Sequence, residues 1–266
     1  MYPAIACHPA RGCRRRYGSP VPAALTILPI EGLPEIESGD DIAAQVAERL
    51  DLIDGDIVVI TSKVVSKAES AAIELGTVEP SAFATEWGTR WEKDPRVVEV
   101  VLRQSRRIVR QIGPVLITET HHGFVCANSG VDQSSSGAHE RVLVLPADPD
   151  DSARRARARF GDLGFDVGVV ITDTFGRPWR EGQTDIAIGI AGINPLYSYI
   201  GQHDPHGHEF LVQEICIADE LAAAAELVKG NTSRVPVAVI RGFAWDVDDT
   251  ASMAPVIRNS SRDLFR

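Results

Sequence analysis

Short apolar runs separated by polar turns occur along the whole chain and predict β-strands. The runs are rich in β-branched residues, which is typical of strands buried in a sheet. Asp54-Gly55 turns the chain into one such run, and His121-His122-Gly123 predicts a hairpin. The predicted strands are residues 24–30, 57–60, 108–112, 115–118, 124–127, 142–145, 167–172, 186–190 and 235–240.

Other stretches repeat apolar residues with helical spacing. Ile42, Val46 and Leu50 share one face of the first predicted helix, for which Ser38 and Asp40 are candidate N-caps. Hairpins mixed with strand–helix units predict an α+β or mixed α/β fold with mixed sheets, not a regular Rossmann array. The other predicted helical regions are residues 81–104 (broken near Asp94-Pro95), 151–163, and 218–228, which ends at Gly230.

Composition narrows the class of protein. The 266 residues are 44% hydrophobic and 24% charged, which suits one large or two small globular domains. A net charge of −10 argues against a general nucleic-acid or membrane-surface binder. The four cysteines include no C-x-x-C pair, and no apolar run approaches the roughly 18 residues of a membrane span. We expect a cytoplasmic protein.

The two ends of the sequence differ from its central part, and the tail beyond Asp246 is polar. Arg14-Arg15-Arg16 resembles the start of an export signal, but Pro29 interrupts the short apolar stretch that follows. We therefore expect residues 1–22 to be a disordered leader, residues 23–246 to form the folded domain and residues 247–266 to form a tail.

Residues 167–189 are the most informative segment, because chemically active side chains directly follow an apolar strand. Asp173 and Thr174 stand at its carboxyl end, where open α/β sheets place their ligands. Arg177, Arg180 and a second acid, Asp185, follow within a few residues. A carboxylate with a hydroxyl suits a divalent ion, and guanidinium groups suit an anionic substrate.

Further polar groups follow other strands. Asp132, like Asp173 and Asp185, is expected in or beside a loop rich in glycine and hydroxyls, which suits Mg²⁺ or Mn²⁺. Taken alone, Asp132 fits a cap or turn former better than a metal ligand. Lys63 and Lys67 face either nucleotide phosphates or solvent. The sequence has neither a P-loop nor a dinucleotide fingerprint, so a nucleotide would need another kind of site.

Two other groups carry weaker signals. The histidines of residues 203–208 have no helical spacing, and a solvated loop is preferred over a zinc site. Ser129 and Cys126 are possible nucleophiles, but no G-x-S-x-G elbow frames either residue. The residues together indicate an anion-handling, metal-using enzyme.

Several segments resemble the coenzyme F420-0:L-glutamate ligase family, also called γ-glutamyl ligases. The most specific match is residues 172–185, which read TDTFGRPWREGQTD. Weaker matches occur in the same order along the chain, at residues 32–36, 59–67, 127–132, 218–221 and 229–230.

The resemblance implies a GTP-dependent ligase in coenzyme F420 biosynthesis. Such an enzyme adds L-glutamate to the carboxylate of coenzyme F420-0, and usually further γ-linked glutamates, through an acyl phosphate. The resemblance also implies two divalent ions (Mg²⁺ or Mn²⁺), a K⁺ ion and a homodimer of an intertwined two-domain fold. Phosphoryl transfer of this kind depends mostly on positioning and charge neutralisation.

The resemblance also assigns roles to residues. Asp132 and Asp173 would bind the first metal, and Thr174 would bind the second. Arg177 and Arg180 are our own candidates for catalytic groups that hold anionic parts of the substrates. The residues expected to contact GTP are Leu33, Pro34, Glu35, Ile36, Ser62, Lys67, Ser135, Val228, Lys229, Gly230 and Asn231.

Three positions depart from the family pattern. Ser135 stands where an asparagine is expected, Asn231 is a short neutral residue near the second metal, and residues 199–208 match loosely. Two other functions therefore stay open. One is a metal-dependent phosphohydrolase, and the other is a non-catalytic protein that binds a deazaflavin or a nucleotide.

Overall fold

A computed structural model describes residues 24–133 and 140–263; Ser135 and the predicted leader lie outside these ranges. The helices are α1 (Ile42–Ala47), α2 (Ser62–Ala68), α3 (Ala82–Trp91), α4 (Pro95–Arg103), α5 (Pro149–Asp162) and α6 (Ile217–Lys229). The strands are β1 (Thr26–Pro29), β2 (Ile57–Thr61), β3 (Ala72–Glu74), β4 (Ser105–Ile112), β5 (Val115–Thr120), β6 (Val125–Ala127), β7 (Arg141–Leu143), β8 (Gly168–Arg177), β9 (Arg180–Ile193), β10 (Leu196–Ser198), β11 (Glu214–Cys216), β12 (Val237–Arg241) and β13 (Val247–Asp248).

The largest sheet has six strands in the order β1-β12-β2-β8-β9-β13. β2 and β8 run parallel, with Thr61 opposite Thr172, and the other neighbouring strands are antiparallel. The prediction of a mixed α+β fold is confirmed. Because β2 and β8 are parallel, both strands end at the same edge of the sheet. The predicted division into two intertwined subdomains stays a prediction.

Helices cover the main sheet on both faces. Val58 and Ile60 of β2 belong to the core that includes α1 and α5, whereas Ile57 and Val59 pack with α6. Alternate residues of a strand face opposite sides of the sheet, and all four of these side chains are at most 1% exposed. Burial on both faces explains why β2 reads as an uninterrupted apolar run.

A smaller antiparallel sheet, β4-β5-β6, packs beside α3 and α4 through Trp87, Val98 and Leu116. The predicted break between these two helices is confirmed. Asp94 caps α4 by accepting a hydrogen bond from the backbone N–H of Arg96 (2.8 Å), and Pro95 begins the helix. The remaining pairs are β3 with β7 and β10 with β11.

The helices differ from the sequence prediction in two respects. α1 is capped by Asp41, whose side chain accepts a hydrogen bond from the backbone N–H of Ala44, and not by Ser38 or Asp40. The second difference is α2, which begins at Ser62 directly after β2 and was not predicted as a helix. Its β-branched valines favour strands, but their burial against the sheet stabilises them in a helix.

The prediction that Asp173 and Asp185 lie in or beside loops is wrong. β8 continues to Arg177 and β9 begins at Arg180, so Asp173 and Asp185 lie on strands. Thr174 is opposite Asp185 in this hairpin. The backbone N–H and C=O groups of both strands are paired with each other, so the polar side chains of this hairpin do not have to satisfy them.

The residues after Asp246 pack on the main sheet. β13 pairs with the end of β9, and Ala251 and Met253 are buried in the core that contains α6. None of the helices in residues 24–133 and 140–263 is long and apolar enough to cross a membrane.

Candidate active site

A cleft of about 850 Å³ opens at the edge where β2 and β8 end. It gathers parts of the chain that are far apart in sequence: residues 33–36, the start of α2, residues 126–132, the end of β8 and residues 230–236. This volume is in the usual range for small-molecule sites, and ligands of α/β sheets bind at the carboxyl ends of strands.

Asp173 lies on the wall of the cleft formed by β8. Its Oδ1 accepts a hydrogen bond from Ser62 Oγ (2.6 Å), the first residue of α2. Burial, together with the neighbouring charges of Asp185 and Asp132, raises the pKa of Asp173 to about 6, although Ser62 and Lys63 act in the opposite direction. A cation beside Asp173 would relieve this unfavourable charge.

Asp132 reaches the same cleft from a constrained turn. Asn128, Ser129 and Gly130 have φ angles of 52°, 53° and 69°, which costs about 1–3 kcal/mol for each non-glycine residue. The Ser129 N–H donates to Thr118 Oγ1 (2.9 Å), which holds the turn. The backbone of Asp132 then exchanges hydrogen bonds with Leu143 at 2.9 and 2.8 Å. The turn therefore fixes where this carboxylate lies.

Lys63 supplies a positive charge to this wall of the cleft. Its Nζ is 3.0 Å from Asp132 Oδ2, and it also lowers the pKa of Asp173 against the effect of burial. Without any bound metal, the ammonium group of Lys63 is therefore the positive charge that Asp132 and Asp173 share.

Thr174 lines the cleft next to Asp173, and its Oγ1 donates to Asp185 Oδ1 (2.7 Å). Asp185 is itself buried and pairs with Lys229 (2.7 Å). Burial opposes ionisation, but the adjacent Lys229 keeps the pKa of Asp185 below its usual value. Asp185 therefore lies behind the cleft as a carboxylate.

The predicted GTP contacts fall into two groups. Seven residues line the cleft, and Lys67 among them is paired with Glu35. Val228, Ser62 and Lys229 lie beside or beneath it: Val228 packs on the core, Ser62 bonds to Asp173, and Lys229 bonds to Thr61. Ser135 lies outside the described residues. The seven lining residues are Leu33, Pro34, Glu35, Ile36, Lys67, Gly230 and Asn231.

Arg177 and Arg180 are not brought into the cleft. Both are exposed at the tip of the β8–β9 hairpin, where Arg177 Nη2 donates to the Glu181 carbonyl (3.2 Å). Gly176 and Gln183, at the base of that hairpin, do line the cleft. The role of the two arginines stays a prediction.

Sequence reasoning missed two charged residues of the cleft, Glu226 and Arg234. Burial, followed by the nearby charge of Asp185, raises the pKa of Glu226. Arg234 has a φ of 57° and makes no ion pair or side-chain hydrogen bond with another described residue. The available signal for Arg234 was its position three residues after Asn231, the last residue assigned to GTP.

The histidine-bearing loop is solvated, as preferred from the sequence. His203, His206 and His208 are exposed, and His208 Nδ1 is 3.5 Å from Asp204 Oδ2. Within the described residues, no group of three or more His, Cys, Asp or Glu side chains is placed to hold a metal ion.

The donors of the cleft nevertheless fit a hard divalent cation. Asp132, Asp173 and Thr174 present two carboxylates and one hydroxyl, all oxygen, to the same space. Mg²⁺ in nucleotide enzymes is usually held by only one or two carboxylates, with water and phosphate oxygens completing the coordination. The raised pKa of Asp173 also fits, because it reflects a carboxylate without enough positive charge nearby.

Comparison with known proteins identifies the family to which the chain belongs. A family described as F420-0:Gamma-glutamyl ligase matches residues 32–242. The chain is 45% identical to the coenzyme F420:L-glutamate ligase of Methanopyrus kandleri, over 91% of this chain and 99% of the relative. The enzyme of the same name from Methanothermobacter thermautotrophicus is 39% identical, with the same coverage. That of Halobacterium salinarum is 43% identical over 83% of this chain and 88% of the relative. The chain therefore belongs to the F420-0:gamma-glutamyl ligase family and is a ligase.

Proposed function

We propose that the protein joins L-glutamate to coenzyme F420-0 with GTP as the energy source, and then adds further γ-linked glutamates. The observation that carries the proposal is the convergence of Asp132, Asp173 and Thr174 on one cleft of about 850 Å³. Other walls of this cleft include residues 33–36, Lys67, Gly230 and Asn231, for which the sequence resemblance implies GTP contacts. Relatives at 45% and 39% identity, matched over 99% of their length, are named coenzyme F420:L-glutamate ligase, which supports the joining of L-glutamate to coenzyme F420.

Two divalent ions, Mg²⁺ or Mn²⁺, belong to the proposal, and K⁺ is proposed with them. Asp132 and Asp173 would hold the first divalent ion, and Thr174 would hold the second. Bound there, the ions would neutralise phosphate charge as it shifts during phosphoryl transfer. Asn231 lines the same cleft and could supply an amide oxygen.

The first chemical step makes the acceptor carboxylate reactive. A carboxylate oxygen of coenzyme F420-0 attacks the γ-phosphorus of GTP, the bond to the β-phosphate oxygen breaks, and GDP leaves. Lys67 and Arg234 provide positive charge along the cleft for the phosphates. Holding both substrates in one cleft supplies the alignment that this in-line transfer requires.

The second step forms the amide. The amine of L-glutamate attacks the carbonyl carbon of the acyl phosphate, inorganic phosphate leaves, and the nitrogen loses a proton. The net result is one amide, one GDP and one phosphate for each glutamate added. Water must be kept from the acyl phosphate, and the bound substrates would have to fill the cleft beside β8 and residues 126–132 to exclude it.

A substrate-omission assay tests the function. Phosphate release from GTP with Mg²⁺ or Mn²⁺ is measured with coenzyme F420-0 and L-glutamate each left out in turn, and product masses are recorded. We expect release that requires both substrates, with products heavier by one or more glutamyl units. Release without glutamate addition would instead identify a phosphohydrolase, and GTP binding without turnover would identify a binding protein.

Two further features are proposed on the same basis. We expect a homodimer, which sedimentation would detect as twice the chain mass of 28.8 kDa. We also expect the enzyme in the cytoplasm, where GTP and L-glutamate are supplied, and cell fractionation would check this.

A further inference from the structure

Lys229 and Asp185 form an ion pair beneath the cleft, with side chains that are 1% and 2% exposed. Lys229 is the last residue of α6, and Asp185 lies on β9. The lysine Nζ donates to three oxygens: Asp185 Oδ2 at 2.7 Å, Thr172 Oγ1 at 2.8 Å and Thr61 Oγ1 at 3.3 Å. Glu226 Oε2 is further away, at 3.9 Å. An ammonium group has three protons, so the three hydrogen bonds use all of them inside the protein.

Both oxygens of the Asp185 carboxylate also accept hydrogen bonds inside the protein. Its Oδ2 accepts from Lys229 and from Thr172 (2.9 Å), and its Oδ1 accepts from Thr174 Oγ1 (2.7 Å). An ionised carboxylate can only accept hydrogen bonds, so the Thr174 hydroxyl proton is directed at Asp185. Both lone pairs of that hydroxyl are then left for the cleft, which Thr174 lines.

We propose that Asp185 and Lys229 are positioning residues, which orient the Thr174 hydroxyl towards a divalent cation. The ion pair with Lys229 (2.7 Å) holds the Asp185 carboxylate in place, and Thr174 Oγ1 donates its hydrogen bond to that carboxylate. The same lysine ties the end of α6, and hence Gly230 and Asn231, to the strand that carries Thr174. This inference rests on the proposed function, because it assumes a cation beside Thr174.

A purely structural role is the competing explanation. A buried ion pair is often replaced by well-packed apolar residues without loss of stability, so stability alone does not explain its presence. The protein contains a suitable comparison at the other end of β2. Arg241 and Asp56 form a two-bond pair there (2.7 and 2.8 Å), with Asp56 1% exposed. Asp56 directly precedes β2, whereas the cleft lies where β2 ends.

Metal binding to the purified full-length protein separates the two roles. Mn²⁺ alone is titrated, free Mn²⁺ is followed by electron paramagnetic resonance, and folding is checked by circular dichroism. In the apolar double variant Lys229→Met with Asp185→Leu, we expect Mn²⁺ affinity to fall at least tenfold. The matched variant Arg241→Met with Asp56→Leu should bind Mn²⁺ within twofold of the wild type.

Rescue and non-additivity complete the test. Lys229→Met with Asp185→Asn restores an acceptor for Thr174 without a charge and should recover part of the affinity. Adding Thr174→Val to the apolar double variant should cause no further loss. Wild-type affinity in a folded apolar double variant would overturn the positioning role, as would a further tenfold loss on adding Thr174→Val. If the apolar double variant does not fold, the same comparison is made with Lys229→Gln plus Asp185→Leu, which removes the acceptor for Thr174 and keeps a hydrogen-bonding group beside Thr172; unchanged affinity there overturns the positioning role.

The Mn²⁺ titration also distinguishes failure of the proposed metal site from failure of the positioning role. If wild-type protein and Asp173→Asn bind Mn²⁺ equally, the metal site itself is wrong and the inference falls with it. If Asp173→Asn loses binding while the apolar double variant keeps it, the metal site stands and only the positioning role is rejected.

Discussion

Ser62 donates a hydrogen bond to Asp173 (Oγ to Oδ1, 2.6 Å) although 111 positions separate the two residues. The contact forms because β2 and β8 are parallel neighbours that end at one edge of the sheet, and α2 begins at Ser62. The serine hydroxyl therefore fixes the orientation of the carboxylate that we assign to the first metal. It leaves the second oxygen, Oδ2, available to the cleft.

Ser62→Ala is expected to weaken Mn²⁺ binding about tenfold while leaving the fold intact. A hydrogen bond to a charged group contributes about 1.5–3 kcal/mol, part of which is lost from the metal-bound state. The measurement is a Mn²⁺ titration. Ser66→Ala is the matched control, because Ser66 is equally buried one turn further along α2 and does not line the cleft. Equal affinities for both variants would reject the role of Ser62.

Asp173→Asn is expected to abolish turnover and yet to stabilise the metal-free protein at neutral pH. The folded-state pKa of Asp173, about 6, is above the ordinary value of 3.8. Its contribution to stability is thus fully present below about pH 4 and is lost as the pH rises through about 6. The loss at pH 7 is up to about 3 kcal/mol, or several degrees in Tm.

Thermal unfolding in EDTA between pH 4 and pH 8 measures this effect. The Tm of Asp173→Asn relative to wild type should rise across this range and level off above about pH 7. Saturating Mn²⁺ should reverse the order, because only the wild type retains the carboxylate ligand. A wild type that stays less stable than the variant in saturating Mn²⁺ would contradict the metal assignment.

The sequence predicted strands at β1, β2, β8, β9 and β12 of the main sheet, and in β2 burial on both faces leaves a continuous apolar run. It did not predict β13, which falls in the segment expected to be a tail. It also placed Asp132, Asp173 and Thr174 together through the family resemblance, and all three line the cleft. It did not predict that Asp185 would be a strand residue behind the cleft. That outcome depends on a cross-strand partner and on Lys229, 44 positions away, which no local pattern reveals.

Lys229→Met alone is expected to lower the free energy of unfolding by about 3–5 kcal/mol, because it leaves Asp185 as a buried charge without its partner. Chemical denaturation measures the loss. Adding Asp185→Leu should recover most of it, since no buried charge then remains. Had Lys229 faced solvent, as a lysine usually does, the single change would cost less than about 1 kcal/mol.

Arg234→Ala is expected to raise the KM for GTP about tenfold or more, with a smaller effect on kcat. Arg234 lines the cleft and makes no ion pair with another described residue, so its charge is available to a phosphate. Arg180→Ala is the informative comparison, because Arg180 is exposed at the hairpin tip outside the cleft. Steady-state kinetics for GTP, L-glutamate and coenzyme F420-0 separate the two arginines. If Arg180→Ala leaves every KM unchanged, its predicted role is wrong; if Arg234→Ala does so, GTP is not held along residues 230–236.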